Sequence, residues 1–145
     1  MGWSPDGSLF ALHEPGDTTR IVGTGGTTLV RLPNFSLVNG SMSWSPSGRS
    51  ILGYDKELAS FVLASPDGGH RASITKPTPT ARLMGWSGPR LVWLTGDPGA
   101  QQLITTDAAG RDTATWMRFA RGLASVETVT WARALSGASS FPDAH

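Results

Sequence analysis

The stretch Trp3-Ser4-Pro5-Asp6-Gly7 returns as Trp44-Ser45-Pro46-Ser47-Gly48, again as Trp86-Ser87-Gly88-Pro89, and in degenerate form as Trp131-Ala132-Arg133. Successive tryptophans are 41, 42 and 45 residues apart. A period of about 40–45 residues with one tryptophan in each unit marks four-stranded propeller blades. The expected fold class is therefore all-β: blades of four antiparallel strands, about three repeats, a partial β-propeller. Many functions are built on such a scaffold, so the repeat speaks to architecture and leaves the biochemistry to individual residues.

Aligned on tryptophan, the repeats share one internal register. A first strand ends at the motif, over 41–45, 82–87 and 125–131. The turn after it is Pro-Asp-Gly, Pro-Ser-Gly or Ser-Gly-Pro, in which proline presets φ and glycine takes the left-handed position. Second strands are expected at 8–13, 50–54 and 90–95, and third strands at 19–24, 59–64 and 102–106, where aromatic and branched residues alternate with small ones. A second hairpin turn follows at Gly25-Gly26, at Pro66-Asp67-Gly68-Gly69 and at Ala108-Ala109-Gly110. Fourth strands are expected at 28–32, 70–75 and 111–117. In this reading the motif tryptophans pack between adjacent blades. Asp6 and Asp67 close turns through their own side chains, and Gly7, Gly48, Gly68 and Gly110 serve backbone geometry.

The Trp-Ser-Pro-Asp-Gly motif followed by an alternating strand resembles the TolB-like, or WD40-like (PD40), β-propeller repeat over about residues 1–131. It is cleanest at Trp3–Gly7 and departs at Ser47, at Ser87-Gly88-Pro89 and at Trp131, where the turn is absent. The resemblance implies a propeller of mostly six or seven blades in bacterial exported or cell-envelope proteins, hence a periplasmic, envelope or secreted location. The same repeat also forms the propeller of prolyl-oligopeptidase-like serine peptidases.

Propellers use roughly four to eight blades, because each sheet must bury both faces against neighbours around a closed ring. Three repeats over 1–131, with a flexible tail at 132–145, are then expected to be the C-terminal part of a larger propeller, its signal peptide, if any, lying upstream. A second reading keeps the chain whole: two copies join head to tail, each orphan strand completing the partner's first blade, to give a six-bladed ring.

Composition narrows the function. The formal net charge of the 145 residues is only +1, from 12 basic and 11 acidic side chains, with no basic block, so nucleic acid is not expected as a partner. There are no cysteines, which excludes disulfides and thiolate metal sites. No apolar run is long enough to span a membrane.

Antiparallel strands put the 1–2 and 3–4 turns on one face and the 2–3 and 4–1 connections on the other. The first face carries tight turns. The second carries 14–18, 33–40, 55–58, 76–81, 96–100 and 118–124, irregular segments of the kind that carry binding residues on a rigid frame. Asn34, Phe35, Asp55, Lys76, Arg118, Phe119 and Arg121 are the candidate contacts, and replacing Arg118 and Arg121 together is expected to weaken partner binding without lowering the melting temperature.

No catalytic or metal constellation is read. Gly85-Trp86-Ser87-Gly88-Pro89 has proline where a nucleophile elbow needs glycine. Gly23-Thr24-Gly25-Gly26-Thr27-Thr28 lacks the last glycine of a dinucleotide fingerprint. His13, His70 and His145 fall on separate elements. The expected function is a non-enzymatic scaffold, without cofactor, that binds a protein or ligand through its loop face. The alternative is the non-catalytic propeller portion of a serine peptidase or other propeller enzyme.

Overall fold

The computed structural model describes residues 1–38 and 40–119, with Ser41 by its backbone alone. Among the described residues, twelve strands form three four-stranded sheets, ordered β1-β2-β3-β4, β5-β6-β7-β8 and β9-β10-β11-β12. Within each sheet, strands adjacent in the chain pair antiparallel. This is the all-β, blade-by-blade architecture expected from the repeat. The chain divides into two compact units, Met1–Thr75 and Lys76–His145.

The first sheet contains β1 (Gly2–Trp3), β2 (Leu9–Glu14), β3 (Thr18–Gly23) and β4 (Thr28–Leu32). The second contains β5 (Phe35–Leu37), β6 (Ile51–Asp55), β7 (Ser60–Ala64) and β8 (Arg71–Ser73). The third, in the second unit, contains β9 (Arg82–Ser87), β10 (Arg90–Thr95), β11 (Gln102–Thr106) and β12 (Ala114–Arg118).

The hairpins are closed by one recurring device. Ser4 Oγ donates to Asp6 Oδ1 and accepts from the Leu9 amide, while the Ser8 amide donates to the same carboxylate. Ser65, Asp67, Gly69 and His70 repeat it one sheet later. Where Ser47 replaces aspartate, the hydroxyls of Ser45 and Ser47 pair instead, 3.2 Å apart. Asp107 Oδ1 accepts from the amides of Ala109 and Arg111 in the third sheet. The glycine that ends each of these turns has φ between 70° and 85°, the left-handed geometry the turn needs.

In the first unit, two sheets bury a shared core. Ala11, Ile21 and Leu32 of the first sheet pack with Phe35, Trp44, Ile51, Val62 and Ala64 of the second. Trp44 is fully buried and its Nε1 donates to the Gly2 carbonyl at 3.0 Å, so the motif tryptophan is a wedge between adjacent sheets. In the second unit, Trp86 is 5% exposed, and the buried Trp93 Nε1 donates to Thr106 Oγ1 at 2.9 Å. Trp3 differs: it packs at a tilt against Phe10, with centroids 4.8 Å apart, but is 54% exposed. The expectation that it packs between blades is corrected for that residue.

The second sheet also corrects the expected first strand at 41–45. Its edge strand comes earlier, at Phe35–Leu37, where Phe35 pairs with Asp55. The chain then makes a short 3₁₀ turn at Gly40–Met42 and rejoins the sheet through a single bridge between Trp44 and Ile51. Burying the Phe35 ring is what draws this stretch out of the expected 33–40 loop. The strand expected at 125–131 and the tail at 132–145 lie outside the described residues.

Candidate functional site

The connections of the first unit meet at one end of its sheets. The β2–β3 turn reaches the β4–β5 connection through the Phe35 amide, which donates to the Asp17 carbonyl at 2.7 Å. That connection reaches the β6–β7 turn through the Lys56 amide and the Asn34 carbonyl, 2.9 Å apart. Side chains reinforce both joints: Lys56 Nζ pairs with Asp17, and Ser36 Oγ donates to Asp17 Oδ1 at 3.1 Å. These pairs are exposed to solvent, so each contributes little to stability.

A tighter bracket lies beneath. Arg71 reaches across the face of the second sheet, pairs with Asp55 through Nη1, and donates from Nη2 to the Pro33 carbonyl at 2.9 Å. Its guanidinium carbon stands 5.5 Å from the centre of the Phe35 ring, a cation–π arrangement. Asp55 Oδ1 also accepts from the Glu57 and Leu58 amides at 2.9 and 3.0 Å. Burial works to raise the Asp55 pKa, but the Leu58 amide and the Arg71 guanidinium outweigh it, and the group stays below the ordinary carboxylate value. Asp17 is also lowered, chiefly by its bond from Lys56.

The backbone of this end is sharply turned. Asp17, Asn34 and Ala59 carry φ of 60°, 55° and 48°, a region that aspartate and asparagine tolerate better than alanine. Around the bracket, Pro33, Asn34, Lys56, Glu57 and Leu58 are exposed. Leu58, at 54% exposure, puts an aliphatic side chain among polar neighbours. A fixed frame with an exposed polar rim and one apolar projection can dock another molecule. Among the described residues, no group of three His, Asp or Glu side chains could hold a metal ion.

The expected contacts separate accordingly. Asn34, Phe35 and Asp55 come together here, but only Asn34 is exposed. Phe35 is 0% and Asp55 1% exposed, so both support the face and neither contacts a partner from it, which corrects that expectation. Lys76 is exposed in the second unit, its Nζ 3.5 Å from the Pro79 carbonyl. Arg118 is exposed at the end of β12. Phe119 packs against the core of Met84, Val92, Leu94 and Leu103, and its amide donates to the Gln101 carbonyl at 3.0 Å. Arg121 lies outside the described residues. Sequence reasoning missed Asp17, Lys56 and Arg71. Proline and glycine beside Asp17 mark its turn, but Arg71 stands 16 residues from Asp55 with no local cue to the pairing.

No protein-family model matches the chain, and no curated protein matches it. A solved structure described as TolB of Agrobacterium tumefaciens is similar in fold, with a TM-score of 0.59 at 20% sequence identity. The match covers 85% of this chain and 50% of the other, so the chain spans about half the length of the structure it resembles. With three successive four-stranded antiparallel sheets, the fold is that of TolB-like propeller blades.

Proposed function

We propose that this chain is a non-enzymatic scaffold that binds a protein partner through the loop face of its first unit. The observation that carries the reading is the contrast at that face. Three connections are held by backbone bonds and by the Asp55–Arg71 bracket, while Asn34, Lys56, Glu57 and Leu58 stand exposed above them. A preorganised backbone lowers the ordering cost of association, and a single apolar side chain within a polar rim suits an interface anchor. The tight turns at the opposite end are spent on closing hairpins through their own serine and aspartate side chains.

The test compares two variants. Proteins captured from the source organism by the wild-type chain are identified, and the captured protein is then purified and titrated. Asn34→Gly with Leu58→Asp is expected to weaken its affinity at least tenfold, with the melting temperature within about 2 °C of wild type, since both side chains are exposed and glycine adopts the left-handed φ of position 34. Arg49→Ala, on an exposed hairpin turn, is expected to bind as wild type does. Equal affinity for the loop-face variant, or a loss confined to Arg49→Ala, overturns the assignment.

A further inference from the structure

Among the described residues at the loop end of the first unit, every acidic side chain but one is answered by a cation. Glu14 is shared by Arg20 and Arg31, Asp17 pairs with Lys56, and Asp55 pairs with Arg71. The Glu57 carboxylate, exposed in the β6–β7 turn, takes part in none of these ion pairs. Leu58 stands beside it, 54% exposed. The fold holds the two in place. Their amides both donate to Asp55 Oδ1, at 2.9 and 3.0 Å, and Asp55 is itself anchored by Arg71. Ala59 closes the turn at φ 48°, a left-handed conformation that alanine seldom adopts. Such a conformation persists only where the surrounding structure imposes it.

The turn therefore presents a carboxylate and an aliphatic side chain on adjacent residues of a fixed backbone. Across an interface, opposite charges meet and like charges are costly to bring together, while apolar side chains seat on one another. A surface complementary to Glu57 and Leu58 thus carries a lysine or arginine beside an apolar side chain. An acidic segment would meet the Glu57 carboxylate while Arg20, Arg31, Lys56 and Arg71 are already engaged. Resting on the loop-face reading above, we infer that the β6–β7 turn recognises a protein segment in which a cationic side chain adjoins an apolar one. Glu57 sets the charge preference and Leu58 makes the apolar contact.

Panning a phage-displayed library of random dodecapeptides against the immobilised full chain tests this, with Glu57→Gln, Glu57→Lys and Leu58→Asp run in parallel. Wild type is expected to enrich lysine or arginine next to an aliphatic or aromatic residue about threefold over the unselected library, the scale an exposed ion pair allows. Glu57→Gln is expected to lose the basic preference and keep the apolar one, and Glu57→Lys to select aspartate or glutamate instead. Two substitutions at position 57 are used so that one misfolding variant leaves the other to decide. No basic enrichment by wild type overturns the inference, and so does the same basic enrichment by the folded position-57 variants. If Leu58→Asp alone then abolishes the apolar enrichment, the loop face keeps its role and only the charge preference falls. Unchanged enrichment by all three variants puts binding elsewhere and removes both readings.

Discussion

A methyl group on Gly53 would stand 2.2 Å from the Phe35 ring, closer than any real contact. The glycine is present because the ring lies over it, and the ring lies there to fill the core between two sheets. Gly53→Ala is expected to destabilise the chain by about 1–3 kcal/mol through overpacking, read as a lower midpoint in urea. The turn carboxylates make a different prediction. Asp6 is held at about 2, against an ordinary 3.8, first by its bond from Ser4 and then by those from Ser8. Asp67 is lowered in the same way by Ser65. A carboxylate depressed in the folded state stabilises it above the unfolded pKa, and that contribution is lost as pH falls through the folded pKa. The melting temperature is therefore expected to hold down to about pH 5 and to fall between about pH 4 and 2. An Asp6→Asn, Asp67→Asn variant should show a shallower fall across that window; an identical fall would assign the acid sensitivity to other groups. Both turns could be read in advance, because serine, proline, aspartate and glycine encode their geometry within five residues. Phe35 could not, since its role depends on a strand partner 20 positions away.

At the scale of elements, Trp44 of the second sheet is tied to the Gly2 carbonyl of the first, and Arg71 to the Pro33 carbonyl in the β4–β5 connection. Trp44→Phe removes the N–H and the five-membered part of the indole, losing the bond to the Gly2 carbonyl and opening a cavity. A loss of about 1–3 kcal/mol is expected, measured by chemical denaturation. Arg71→Ala costs more, because it strands the Asp55 carboxylate in the core. About 3–5 kcal/mol is expected, largely recovered when Asp55→Asn is added, which removes the charge and keeps an oxygen for the Glu57 and Leu58 amides, and a double-mutant cycle measures the recovery. The strands themselves were legible where turn residues bracket them: β4, β9, β10 and β11 fall on their expected bounds. The edge of the second sheet was not legible. Its pairing is broken by the 3₁₀ turn at Gly40–Met42, and the residues that rejoin the sheet make one bridge only. The bracket at the loop face was hidden for a similar reason, since Arg71 and Asp55 meet across β7 and not along the chain.

At the scale of the whole molecule, the repeat fits a TolB-like propeller fold, and the candidate site is a matter of which loops that fold leaves uncovered. The expectation that the 2–3 and 4–1 connections share one end follows from strand direction alone, and the joints between Asp17, Phe35, Asn34 and Lys56 realise it in the first unit. The choice of individual contacts was less secure, because burial separates exposed Asn34 from its buried neighbours Phe35 and Asp55. The central claim is that this end, and not the hairpin-turn end, meets the partner. Amide hydrogen exchange of the chain with and without its purified partner tests it most directly. Added protection is predicted at residues 33–36 and 55–59, with none at 4–8, 45–50 or 65–70. Protection gained at the hairpin turns while 33–36 and 55–59 stay unchanged would contradict the account.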